Sequence, residues 1–85
     1  MEAMEIDKDK GELRLMIDTK FYGYLAVVRA AYMFTRTCYV SLDGDPSDKV
    51  LVGLKPKNTN LPLENFGHEF YNCMLEIIRE SISSF

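Results

Sequence analysis

The sequence predicts a two-layer α+β domain with the element order β-α-β-β-α, and three observations carry that reading. Residues 12–18 alternate apolar and polar side chains, and residues 37–54 hold two further alternating runs around a turn rich in Asp, Gly and Pro. One stretch of helical apolar spacing lies between the first and second runs, and another follows the third. With 85 residues there is room for one domain, spanning 1–85.

In the first strand Leu13, Leu15 and Ile17 fall on one side, with Arg14, Met16 and Asp18 on the other. Asp18 and Thr19 are both able to accept a bond from a free helix amide, and they precede Leu25, Val28, Ala31, Tyr32 and Thr35 at helical spacing. Phe21, Tyr24 and Phe34 join that stripe, while Arg29 and Arg36, seven residues apart, mark the polar side. Gly23 near the helix start costs up to about 1 kcal/mol relative to Ala and suggests a close backbone approach.

The second strand, 37–43, places Cys38, Val40 and Leu42 inward and Thr37, Tyr39 and Ser41 outward. Asp43-Gly44-Asp45-Pro46-Ser47-Asp48 supplies a tight turn, after which Val50, Val52 and Leu54 resume a strand, making a β-hairpin. Lys55 to Asn60 is a polar connector that Pro56 keeps from extending the ladder. Leu61-Pro62-Leu63-Glu64 opens the last helix, with Pro62 where a missing N–H costs nothing and Glu64 near the positive helix end. Its apolar stripe is Leu63, Phe66, Phe70, Cys73, Met74, Ile77 and Ile78, and the helix runs to about Ser81, with Ile82 and Phe85 beyond it.

A right-handed crossover through the first helix brings the first strand beside the third, which favours a three-stranded sheet in the order 1-3-2 over the alternative 3-2-1. Both helices then cover one sheet face and leave the other open. Residues 1–10 mix charges of both signs with little to bury and are expected to form a flexible tail.

Ten Lys and Arg against thirteen Asp and Glu give a net charge of −3, the wrong sign for holding nucleic acid phosphates. The N-terminus lacks the basic start and apolar run of a secretory signal, and the longest charge-free stretch, Phe21 to Val28, is far short of the ~20 residues of a membrane span. A soluble, cytoplasmic protein with two reduced cysteines, Cys38 and Cys73, is expected.

No residue set here carries catalysis alone. His68 and Cys73, five positions apart on a helix, are separated by about 140° and form no couple. The acidic turn Asp43, Asp45, Ser47 and Asp48 invites a calcium reading, but Asp48 stands where an EF-hand needs Gly and Leu54 where it needs a bidentate Glu. No metal, cofactor or catalytic residue is implied.

The outward set says more. Met16, Tyr39 and Leu51 project from the open face among Arg14, Thr37, Ser41 and Gly53. The second strand, an edge in the favoured order, has no Lys or Pro to discourage an added strand. These residues point to a protein or peptide partner, and the competing reading is a homodimer whose copies cover each other's sheets or edges. A third reading is a small enzyme or ligand-binding protein with a pocket between helices and sheet, where Cys73 or His68 would matter.

Ala30-Ala31-Tyr32-Met33-Phe34-Thr35, then Tyr39-Val40-Ser41-Leu42-Asp43, Val50 to Lys55, Phe70-Tyr71-Asn72 with Met74-Leu75, and Ile78-Arg79-Glu80 are similar to the small HxsD-type proteins of His-Xaa-Ser peptide-modification systems. The likeness covers roughly residues 20 to 80. It implies companions: two radical S-adenosylmethionine enzymes and a substrate protein with His-Xaa-Ser repeats. This chain has neither the clustered thiolates of an iron–sulfur site nor a repeat, since Glu69 and Phe70 follow His68. The resemblance therefore implies a non-catalytic accessory protein that docks a radical enzyme or its peptide. Asn72 and Arg79 of the last helix join Met16, Tyr39 and Leu51 as expected partner-binding residues.

Overall fold

The computed structural model describes residues 3–58 and 62–83. Its elements are β1 (Ala3–Asp7), β2 (Glu12–Asp18), α1 (Thr19–Tyr22), α2 (Tyr24–Phe34), β3 (Cys38–Gly44), β4 (Lys49–Pro56) and α3 (Leu63–Ser83). The connector residues 59–61 and the closing Phe85 lie outside the described residues.

The α+β class stands, but the sheet has four antiparallel strands in the order β1-β2-β4-β3, not three. The added strand comes from the segment expected to be a tail: Ala3–Asp7 pairs with β2 from Ala3 opposite Met16 to Asp7 opposite Glu12. Met4 and Ile6 alternate with Glu5 and Asp7 in a short amphipathic strand, and the Asp7 carboxylate accepts a bond from the Lys10 amide at 3.2 Å in the turn back to β2. Local composition hid this strand because its stability comes from its partners. The Arg14 guanidinium reaches Glu5 across the pair, and Met4 packs against the core.

Met4 fits because α3 carries a glycine where the two meet. A Cβ on Gly67 would lie 2.6 Å from Met4 Cε and 3.4 Å from Leu15 Cδ2, so the bare backbone there admits the Met4 side chain between helix and sheet. The core under the helices is Leu13, Leu15, Ile17, Val27, Ala30, Ala31, Cys38, Val50, Val52, Leu54, Phe66, Phe70 and Met74. Phe34 of α2 meets Phe70 of α3 edge-on at 5.2 Å.

The helix predicted after Asp18 is two helices. Gly23, at φ 80° and ψ 138°, breaks it, and nothing lies within 4 Å of where its Cβ would be, so the glycine serves the left-handed backbone and not a close approach. The Asp18 side chain caps α1 by accepting from the Lys20 amide at 2.8 Å. The Asp48 carbonyl accepts from both the amide and the hydroxyl of Thr19, each at 2.8 Å, tying the start of the crossover to the hairpin turn.

α2 is rotated relative to the predicted stripe. Ala26, Val27, Ala30 and Ala31 are buried, whereas Leu25 and Tyr32 are 64% and 77% exposed and Phe21 of α1 is 83% exposed. Val27, Ala30, Ala31 and Phe34 have the same helical period, and they win because small side chains let α2 sit close to the sheet and α3. Leu42 also departs from expectation: it lies on the helix-side face of β3 but is 38% exposed, and Val40 beside it is only half-buried. Among the described residues no helix is long and apolar enough to cross a membrane.

Enlarging Gly67 should therefore act on β1 first. Gly67→Leu is expected to displace Met4, cost about 1–3 kcal/mol by overpacking, and raise amide hydrogen exchange in residues 4–7 more than in β4. Gly67→Ala should be nearly neutral, because the flexible end of Met4 moves aside while the helix gains up to about 1 kcal/mol in propensity.

Candidate partner-binding site

Strand registry assembles the open face in rows. Met16 lies opposite Leu51, which lies opposite Asp43; Arg14 lies opposite Gly53, and Gly53 opposite Ser41; Tyr39 lies opposite Lys55, and Glu12 lines the same end of the face. Met16 and Leu51 thus touch as cross-strand neighbours, but Tyr39 stands four residues further along the sheet, about 13 Å away. Between them Gly53 has no side chain, and the Ser41 hydroxyl leans over the vacant position. The result is a trough of about 280 Å³ lined by Glu12, Arg14, Tyr39, Ser41, Gly53 and Lys55 together with Leu13, Val40 and Leu54.

Tyr39 is 65% exposed and is held in place from below. Lys57 donates to the Thr35 carbonyl at 3.1 Å, at the end of α2, and sets its ammonium 5.2 Å from the centre of the Tyr39 ring. Such an exposed cation–π contact contributes about 0.5–1 kcal/mol. Arg14 is engaged within its own face, at 3.3 Å from Glu5 and 3.8 Å from Glu12.

Asn72 and Arg79 lie on α3, both exposed, so they belong to the helix layer and not to the trough. Arg79 is paired with Glu76 one turn earlier. The five predicted binding residues therefore fall on two surfaces. Sequence reading did not place Lys57 in the site; the β3–β4 pairing brings it beside Tyr39 and the end of α2.

The acidic turn is occupied with its own structure. Asp43 accepts from the Gly44 amide at 2.8 Å, Asp48 accepts from Lys20 Nζ at 2.9 Å, and Asp45 accepts from both the amide and the hydroxyl of Ser47. Those two Ser47 bonds hold the Asp45 carboxyl below its ordinary value. Among the described residues no group of three or more His, Cys, Asp or Glu side chains is placed to hold a metal ion.

Both cysteines are free. Cys38 is buried in the core, and Cys73 faces α2, where its thiol lies 3.6 Å from Met33 Sδ. Burial pushes both thiols above their ordinary value, and at Cys38 the Thr37 hydroxyl and the Lys57 charge oppose that push. His68 is exposed on the far side of α3.

Residues 17–84 match the family described as His-Xaa-Ser system protein HxsD. The chain belongs to the HxsD family. No curated protein and no solved structure gives a significant match. In this HxsD-family chain β1 and β2 up to Met16 precede the matched segment, whereas all three helices and the β3–β4 hairpin lie inside it.

The raised Cys38 thiol fixes a pH dependence. In the unfolded chain the thiol ionises near its ordinary 9.0, while the folded chain keeps its proton to higher pH, so this contribution to stability is complete below 9.0 and declines as pH rises through the folded value. The urea midpoint should fall as the pH is raised above 9.0, and Cys38→Val should remove part of that fall.

Proposed function

We propose that this HxsD-family chain is a non-catalytic accessory protein of a peptide-maturation system that holds the peptide substrate for a radical S-adenosylmethionine enzyme by adding it as a strand to β3. The observation that carries this reading is the state of the β3 edge. Among the described residues β3 pairs only with β4, it carries no Lys or Pro, and its helix-side residues Val40 and Leu42 are left partly uncovered.

A His-Xaa-Ser unit suits such an edge. In an extended strand His and Ser, two positions apart, fall on one face and Xaa on the other. With Xaa turned toward Val40 and Leu42, an apolar Xaa covers their exposed area, and His and Ser lie beside Tyr39, Ser41 and Asp43 on the trough side. Tyr39 offers a ring for an imidazole to stack on, and Ser41 and Asp43 offer acceptors. Met16 and Leu51 extend the same face as an apolar shelf. The family membership supports the choice of peptide class, and the exposed edge supports this way of holding it.

A synthetic peptide of three His-Xaa-Ser repeats with apolar Xaa, titrated into isotope-labelled protein, should shift amide resonances of residues 38–44 most. Tyr39→Asp should weaken binding about tenfold or more, equivalent to ~1.4 kcal/mol, without changing the fold. Shifts confined to α3 around Asn72 and Arg79, or no binding at millimolar peptide, would overturn the assignment.

A further inference from the structure

The sheet face and the helix layer handle charge differently. On the sheet, Arg14 is matched by Glu5 and Glu12 within the chain. On α2 and just beyond it, Arg29 and Arg36 make no ion pair among the described residues, and α2 contains no acidic residue. Arg29 shares a stripe with Leu25, Tyr32 and Met33, since positions 25, 29, 32 and 33 fall on one side of α2, and Arg36 in the following turn lines a shared surface pocket with Tyr32 and Met33. Met33 is 57% exposed, so this stripe presents three large apolar side chains to solvent between two unmatched positive charges. An apolar stripe of this kind is ordinarily covered.

α3, packed beside α2, carries the opposite sign. Glu64, Glu69, Glu76 and Glu80 are exposed along it against one basic residue, Arg79, which is paired with Glu76. Leu75 and Ile82 add exposed apolar area. One layer thus contains an apolar and basic helix next to an acidic one, a pattern that complements itself under a two-fold rotation.

We infer that the helix layer is a homodimer interface, in which a second copy of this chain buries the Leu25, Tyr32 and Met33 stripe and sets its α3 glutamates against Arg29 and Arg36. The size is sufficient. A helix of 21 residues is about 30 Å long, and two packed helices are about 20 Å across, so the layer presents on the order of 600 Å² in projection. A standard interface buries about 800 Å² of accessible surface per partner, and projected area understates accessible area. Such a dimer leaves the trough and the β3 edge of both copies outward.

Sedimentation equilibrium from about 1 to 200 μM tests this directly. The wild-type chain should give twice the 9.8 kDa monomer mass, weakening as salt is raised. Tyr32→Asp should give monomer with unchanged circular dichroism, and Tyr39→Asp on the sheet should leave the dimer intact. The pairing of charges has its own readout. Arg29→Glu with Arg36→Glu should dissociate the dimer, as should Glu69→Lys with Glu76→Lys, and mixing the two variants should restore a mixed dimer, because each α2 then faces an α3 of opposite sign. A wild-type monomer at 200 μM, a dimer broken by Tyr39→Asp and indifferent to Tyr32→Asp, or failure of the mixed pair to associate would overturn it.

Discussion

β4 is hydrogen-bonded on both sides, and the rest of the domain is arranged by that. Its partners are β2, from Leu13 opposite Leu54 to Asp18 opposite Lys49, and β3, from Cys38 opposite Pro56 to Gly44 opposite Val50. Val50, Val52 and Leu54 are each essentially inaccessible, so a slip of one residue in either ladder would turn three core side chains onto the open face. The Asp48 carbonyl guards against that slip, because it receives two bonds from Thr19 at the point where the chain leaves β2 for the helices. Closing the β2–β4 ladder therefore also sets where α1 begins and which way α2 crosses back to β3.

The strands that alternate strictly were legible in the sequence, because a period of two admits one inward set: Leu13, Leu15 and Ile17 are buried while Arg14 and Met16 are not. α3 was legible for a similar reason, since Phe66, Phe70 and Met74 have no competing apolar stripe on that helix. α2 was not, because nearly every residue from Tyr24 to Phe34 is apolar and two stripes fit equally well. The deciding signal was present in the charges: Arg29 and Arg36 are in phase with Leu25 and Tyr32, which marks that stripe as the outer one. β1 was hidden for a different reason. Met4 has room because of Gly67, over sixty positions away, and Glu5 pairs with Arg14 of β2, neither of which is a local property.

The candidate site divides along the same line. Met16, Leu51 and Tyr39 could be placed on one face by parity alone, but the distance of Tyr39 from the other two, and the trough between them, depend on register and on Gly53 facing Ser41. Lys57 joins the site because the β3–β4 register carries the end of β4 past Tyr39 to the close of α2.

The sheet has two edges, and they are unequal as templates. β1 is five residues long and sets Glu5 and Asp7 among its side chains, both features that discourage an incoming strand. β3 is seven residues long, and its single charge, Asp43, lies at the turn end and is bonded to the next amide. An extended peptide meeting this sheet thus finds charge and little length on one side. On the other it finds a longer backbone edge flanked by Leu42 and Tyr39, whose uncovered area a strand would remove from water. That asymmetry, and not the presence of an open face alone, is why the proposed strand addition is assigned to β3. A dimer formed through the helices would leave that direction unchanged, because the helix layer and the β3 edge do not compete for the same surface.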